Sequence, residues 1–98
     1  MDDSRDDVRE QTEQPQPIVF SRHAREQMAE RGASEAEVIE TIRAGEEVPA
    51  RGNRRGYRRN FQYDATWGGR RYAIKQVLAI VAAEPDTVVV VTVYTFYF

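Results

Sequence analysis

Residues 75–98 consist of two apolar runs on either side of Pro85-Asp86, a pair of residues that favours turns. Both runs are rich in valine and in other β-branched or aromatic side chains, which are typical of strands. The pattern predicts a long β-hairpin with its turn at Pro85-Asp86. If the alternation is unbroken, this hairpin pairs Lys75 with Phe96.

Alternation divides the predicted hairpin into two faces. One face is purely aliphatic and is expected to lie under helices: Leu78, Ile80, Val89, Val91 and Val93. The other face mixes apolar bulk with polar groups: Lys75, Val77, Ala79, Val81, Val90, Thr92, Tyr94 and Phe96. Lys75, Thr92 and Tyr94 are therefore predicted to lie together.

Helical spacing ahead of the hairpin predicts two short helices joined by a tight turn. Ser21 caps the first helix, which runs from about residue 22 to 31. Ser34 and Glu37 form a capping box for the second, which runs to about residue 44. Each helix is followed by a glycine, and each has too thin an apolar stripe to be stable without a sheet.

The other extended segments complete an α+β fold. Residues 17–20 form a lead-in, and residues 47–51 resemble an edge strand. Residues 57–64 alternate and continue through a turn at 67–70 into the final hairpin. The prediction is a single domain, residues 17–98, with two N-terminal helices packed on an antiparallel sheet of about four strands.

The chain has 98 residues, no cysteine and one histidine, which argues against a structural zinc site. We expect no metal and no cofactor. The N-terminus lacks an apolar signal segment, and no apolar run is long enough for a membrane helix. The expected location is the cytoplasm, without membrane association.

The net charge of −2 conceals a segregation of charge. Residues 1–14 carry six acidic side chains against two arginines. Residues 1–16 are predicted to be a disordered acidic tail, for which a solvated leader is favoured over an autoinhibitory segment that folds back on the basic region.

Residues 51–75 carry eight basic side chains, one acidic side chain and five aromatic rings. Arginines contact phosphates and aromatic rings stack on bases, so this segment is a candidate RNA-binding region. The candidate nucleic-acid-binding residues are Arg54, Arg55, Arg58, Arg59, Arg70 and Arg71. The alternative is a solvated edge hairpin whose aromatic residues belong to the core.

Several polar residues are candidates for acid–base chemistry. His23, in a first helical turn, is a possible general base, although a purely structural hydrogen bond is favoured. Arg31 lies on an apolar stripe, where pairing of its head with a buried carboxylate or carbonyl is favoured over phosphate contact. Lys75, Thr92 and Tyr94, with Arg59, would surround a phosphate, unless they are ordinary sheet-surface residues.

Two stretches of the chain resemble an uncharacterised bacterial family. The first is Phe20-Ser21-Arg22-His23-Ala24 with Met28 and Glu30-Arg31-Gly32, which follows the pattern F-S-x-H-A and then M-x-x-R-G. The second is Lys75-Gln76-Val77 with Val90-Val91-Thr92-Val93-Tyr94. The resemblance covers about residues 18–98.

This family is grouped by fold with RelE-like toxins and with the barnase, EndoU and colicin ribonucleases. The resemblance implies a metal-independent ribonuclease, often part of a toxin–antitoxin system, that binds RNA on the open face of a curved sheet. It makes His23, Lys75, Tyr94, Arg31 and Thr92 the candidate catalytic residues. The implied partners are RNA, either free or on the ribosome, and an antitoxin-like protein or a second copy of the chain.

The resulting hypothesis is RNA cleavage by attack of a 2′-hydroxyl on the adjacent phosphate. His23 or Tyr94 would move the proton, and Arg31, Arg59 and Lys75 would stabilise the charge. The alternative is a non-catalytic module that binds nucleic acid or protein. The sequence leaves open whether the domain is an enzyme.

Overall fold

The computed structural model describes residues 16–98, so nearly all of the predicted acidic tail lies outside the described residues. Two helices and five strands make up the domain. In chain order they are β1 (Ile18–Phe20), α1 (Arg22–Arg31), α2 (Glu35–Ala44), β2 (Glu46–Val48), β3 (Arg54–Trp67), β4 (Arg70–Ala83) and β5 (Val88–Tyr97). No helix in this part of the chain is long and apolar enough to cross a membrane.

The strands form one mixed sheet in the order β1-β5-β4-β3-β2. β1 runs parallel to β5, and the other neighbours are antiparallel. The α+β class is confirmed, but the sheet has five strands rather than four, and a strand precedes the helices. A three-residue strand such as β1 is too short to show alternation, and only its pairing with Val88–Val90 defines it.

Both helix boundaries follow the predicted caps. The Ser21 hydroxyl accepts a hydrogen bond from the Ala24 amide at 3.0 Å, and Ser34 and Glu37 form the capping box. Gly32 ends α1 with φ of 79°, in the left-handed region that favours glycine. These local signals depend on residues within four positions of each other, which is why the sequence predicts them well.

The helices cover the face of the sheet opposite to the one expected. Val77, Ala79 and Val81 are buried against the helices together with Ala24 and Val38, so the prediction that Leu78 and Ile80 lie under helices is wrong. We call the uncovered side the open face; its central side chains are Arg54, Leu78, Ile80, Thr92, Tyr94 and Phe96. Small residues such as Ala79 let the helices approach the sheet closely.

A β-bulge at Val91 changes the register of the final hairpin. Val81 pairs with Val90, but Ile80 pairs with Thr92, so Val91 has no partner on β4. The predicted pairing of Lys75 with Phe96 is therefore wrong, and Lys75 pairs with Tyr97. Beyond the bulge, the side chains of β5 share a face with the other set of β4 side chains: Val93 lies with Ala79 under the helices, as predicted for Val93, and Thr92 lies with Ile80 on the open face.

Two side chains of α1 hold the bulged strand. The side-chain Oε1 of Gln27 accepts a hydrogen bond from the Val93 amide at 2.8 Å, and the Arg31 guanidinium donates one to the Val93 carbonyl at 2.6 Å. Gln27 and Arg31 are one helical turn apart, so both polar groups of Val93 are satisfied along an edge that β1 does not cover. We call this pair of contacts the Val93 clamp.

Tyr97 ties the end of the sheet to the end of α1. Its ring stacks on Trp67 with centroids 5.0 Å apart, and its hydroxyl donates to the Arg31 carbonyl at 2.7 Å. Burial is the main cause that raises the pKa of Tyr97 above its ordinary value. The aromatic residues of the basic segment are thus partly packing residues, as the alternative interpretation held.

Candidate functional site

A groove on the open face is the candidate site. It has a volume of about 290 Å³ and is lined by Ala50, Arg51, Arg54, Ile80, Thr92 and Tyr94. The loop after β2 supplies Arg51, the start of β3 supplies Arg54, and β5 supplies the two hydroxyl groups. The bulge at Val91 brings Thr92 and Tyr94 to this side of the sheet.

The arginines of the groove differ from most arginines of the basic segment. Arg51 and Arg54 are exposed, and within residues 16–98 neither forms an ion pair. Three others face carboxylates: Arg55 with Glu47 at 3.9 Å, Arg58 with Glu46 at 2.8 Å, and Arg59 with Glu40 at 2.9 Å. The basic segment is therefore partly neutralised by glutamates of α2 and β2.

Neighbouring side chains affect two of these paired arginines, Arg55 and Arg59, in different ways. A hydrogen bond with Tyr57 and the charge of Glu47 raise the pKa of Arg55. The Nε of Arg59 lies close to Glu40 without a well-aligned hydrogen bond, so that contact is ionic. Both side chains belong to the helix-covered face, because Arg55 pairs with Val81 and Arg59 with Val77.

Arg70 and Arg71 lie at the opposite end of the sheet. They begin β4, where they pair with Trp67 and Thr66 beside the tight turn of the β3–β4 hairpin. β4 continues for another twelve residues toward the groove, which corresponds to about 40 Å. The six arginines predicted to bind nucleic acid are therefore distributed over two faces and two ends of the molecule.

Tyr94 joins the groove to a row of exposed aromatic rings. Tyr94 is 40% exposed and Phe96 is 45% exposed, and their rings are 6.5 Å apart and within 20° of parallel. The guanidinium of Arg31 lies 5.1 Å from the centroid of the Tyr94 ring. The predicted pairing of the Arg31 head with a carbonyl is confirmed, and the same guanidinium contacts Tyr94.

Lys75 lies on the other side of the sheet. It is 7% exposed, and its ammonium donates to the Gly32 carbonyl at 2.8 Å and to Glu37 at 2.9 Å. The prediction that Lys75 shares a face with Thr92 and Tyr94 is therefore wrong, because the bulge places those two residues on the open face.

Residues 20–95 match a family model described as a domain of unknown function, DUF4258. The chain belongs to this family. The match includes both helices, the groove and the Val93 clamp. No curated protein and no solved structure gives a significant match to the chain.

In this DUF4258 domain, most residues of the pattern F-S-x-H-A and M-x-x-R-G have a clear structural role. Ser21 caps α1, Ala24 and Met28 are buried, and Gly32 ends the helix. His23 differs, because it is exposed and no hydrogen bond or ion pair joins it to another of residues 16–98. It does not line the groove, so the structure does not unite it with Thr92 and Tyr94.

Arg51 and Phe96 were not among the predicted site residues. Arg51 lies in a loop, and only its position next to Arg54 associates it with the groove. Phe96 was assigned to the same face as Tyr94, and its exposure on the uncovered face is what makes it a candidate. No group of three or more potential metal ligands occurs within residues 16–98.

Proposed function

We propose that this DUF4258 domain binds RNA on the open face of its sheet. The observation that carries the proposal is the groove, which is lined both by Arg51 and Arg54, without carboxylate partners among residues 16–98, and by the exposed ring of Tyr94. A groove that offers both guanidinium groups and an exposed aromatic ring supplies contacts for the phosphate and the base of a nucleotide.

The two arginines would contact the RNA backbone. An arginine that already faces a carboxylate must give up that contact before it binds a phosphate, whereas Arg51 and Arg54 have none to give up among the described residues. Each phosphate contact displaces condensed counterions, so the affinity should fall as the salt concentration rises.

The exposed rings of Tyr94 and Phe96 would contact the bases. The two rings are 6.5 Å apart and within 20° of parallel, so each offers a face on which an unpaired base can stack. Paired bases in an RNA helix cannot reach these rings, so the proposed ligand is single-stranded RNA. The resemblance to a family grouped with RelE-like toxins also supports this proposal, because such folds leave an open sheet face for RNA.

RNA cleavage is a second candidate function, which the toxin-type resemblance favours. Tyr94, Arg51 and Arg54 line the same groove. Attack of a ribose 2′-oxygen on the adjacent phosphorus would break the bond to the 5′-oxygen and give a 2′,3′-cyclic phosphate and a 5′-hydroxyl. Tyr94 would transfer the proton, and Arg51 and Arg54 would stabilise the phosphorane. In this scheme neither His23 nor Lys75 touches the substrate.

Fluorescence anisotropy with a labelled single-stranded RNA, at low salt and with EDTA, tests the binding. Arg51→Ala combined with Arg54→Ala should weaken binding by about tenfold and reduce the salt dependence by one to two counterions. The matched control is Arg70→Ala combined with Arg71→Ala, which changes the net charge equally at the far end of the sheet. Equal losses in both double variants would contradict a specific groove.

Separation of the RNA products by gel electrophoresis tests the cleavage. Tyr94→Phe keeps the ring and removes the hydroxyl, so it should abolish cleavage and preserve binding. Binding by the wild type without any product would restrict the function to binding. If the wild type does not bind RNA, the exposed rings of Tyr94, Phe96 and Phe98 become candidates for contact with a protein such as an antitoxin or a second copy.

A further inference from the structure

We propose that the acidic segment ahead of β1, residues 1–15, occupies the groove of Arg51 and Arg54 and competes there with RNA. The contact between this segment and the groove does not depend on the proposed function. The competition with RNA rests on the proposed function. The segment lies outside the described residues, and its composition and its point of attachment to the sheet carry the inference.

Charge complementarity is the first argument. Residues 1–15 contain six acidic side chains and two arginines, so the segment carries a net charge of −4. Residues 16–98 contain twelve basic and ten acidic side chains, an excess of two positive charges. An acidic segment tethered to a domain with exposed arginines is an intramolecular competitor at high effective concentration.

The point of attachment is the second argument. The Gln16 side chain donates to the Pro85 carbonyl at 2.9 Å, and the Pro17 carbonyl accepts the Val88 amide at 2.9 Å. The segment therefore leaves the sheet beside the β4–β5 turn. Arg54 lies in the same end row, because it pairs with Ala82, one residue before the end of β4.

The reach of the segment is sufficient. Two strands, β5 and β4, separate β1 from β3, which corresponds to about 15 Å across the sheet. Asp6 and Asp7 precede Gln16 by ten and nine residues, which span up to about 30 Å when extended. These carboxylates can therefore reach the groove.

The positions of the other cations single out the groove. Arg55, Arg58 and Arg59 already face glutamates. Arg70 and Arg71 lie about 40 Å further along β4, beyond the reach of most of the segment. Arg51 and Arg54 thus form a pair of arginines, without ion-pair partners among residues 16–98, in a groove at the end of the sheet where the segment leaves it.

The first experiment observes the contact without RNA. NMR spectra of the arginine side-chain Nε–H groups are compared between the full chain and its Asp6→Asn, Asp7→Asn variant. The resonances of Arg51 and Arg54 should shift, and those of Arg70 and Arg71 should not. Unchanged Arg51 and Arg54 resonances would overturn the proposal whatever the RNA measurements give.

The second experiment measures the competition. The same Asp6→Asn, Asp7→Asn variant should bind single-stranded RNA about fivefold more tightly, as expected for the loss of two exposed ion pairs. The matched control is Glu26→Gln combined with Glu30→Gln, which changes the net charge equally on exposed positions of α1. An equal gain in the control would overturn the competition and show only a general effect of charge.

Together, the two experiments distinguish failure of the intramolecular contact from failure of the proposed RNA function. NMR shifts at Arg51 and Arg54 without RNA binding in any variant would retain the intramolecular contact and overturn the proposed RNA function. RNA binding that depends on Arg51 and Arg54, without the NMR shifts, would retain the function and overturn the contact.

Discussion

Lys75 and Arg54 lie on opposite faces of the sheet and have opposite surroundings. On the helix-covered face, Lys75 is 7% exposed and donates to the Gly32 carbonyl and the Glu37 carboxylate. On the open face, Arg54 is exposed and forms no ion pair within residues 16–98. A desolvated charge requires partners, whereas a solvated one can stay available to a ligand.

This difference suggests that the residues that stabilise the fold and the residues that bind a ligand lie on opposite faces of the sheet. Substitutions on the helix-covered face should change the free energy of unfolding, because they remove buried contacts. Substitutions in the groove should leave that free energy nearly unchanged and alter the binding of polyanions. The four predictions below test this separation, starting with the largest expected effect.

Removal of Lys75 should have the largest effect. Lys75→Ala leaves Glu37 without its partner in a largely buried site, so the free energy of unfolding should fall by about 3 kcal/mol. Arg54→Ala, the matched change on the open face, should cost less than about 0.5 kcal/mol. Urea denaturation of both variants measures the difference. Similar values for the two would break the distinction between the faces.

Gly32→Ala should lower the free energy of unfolding by on the order of 3 kcal/mol. The left-handed backbone conformation disfavours alanine there, and the added Cβ would collide with two side chains. A Cβ at Gly32 would lie 2.7 Å from the Trp67 ring and 2.8 Å from the Tyr97 hydroxyl. Gly68, with φ of 61° and no atom within 4 Å of such a Cβ, is the matched control. Gly68→Ala should cost only about 1 kcal/mol, and thermal unfolding distinguishes the two.

Disruption of the Val93 clamp should lower the free energy of unfolding by an intermediate amount and also change the structure on the open face. Gln27→Ala leaves the Val93 amide without its acceptor, which should cost about 2 kcal/mol. The backbone NMR resonances of residues 92–97 should also shift, because the clamp holds the register that places Tyr94 in the groove. Glu26→Ala, at the neighbouring exposed position, should change neither quantity.

Titration of the Tyr97 hydroxyl should give the smallest effect, confined to alkaline pH. Its folded-state pKa is raised above the ordinary value of 10.0, so the unfolded chain releases this proton first as the pH rises. The stabilisation is complete below about pH 10 and is lost as the pH increases through the folded-state pKa. Tyr97→Phe should therefore show a smaller decline in stability above pH 10 than the wild type. An identical decline would contradict the burial of this hydroxyl.

The arginines show where sequence analysis was insufficient. All six predicted nucleic-acid-binding arginines have the same side chain and lie in the same charged segment, yet only Arg54 lines the groove. Arg55, Arg58 and Arg59 are paired with Glu47, Glu46 and Glu40. Their partners lie between eight and nineteen positions earlier in the chain, so no short spacing indicates the pairing.

The sequence by itself determined the local structure of this protein. The caps of both helices, the glycine that ends α1 and the turn at Pro85-Asp86 all depend on contacts between near neighbours in the chain. The alternation of β3 from Tyr57 to Gln62 was also predicted correctly, because one repeating pattern defines it.

Only the tertiary structure decided which face the helices cover and where β5 shifts its register. Val90 and Val93 are both fully buried although they lie three positions apart, which strict alternation forbids. The bulge is held by Gln27 and Arg31, more than sixty residues earlier in the chain. Since one residue of shift reverses every later side chain of β5, this long-range contact places Tyr94 on the open face rather than on the face of Lys75.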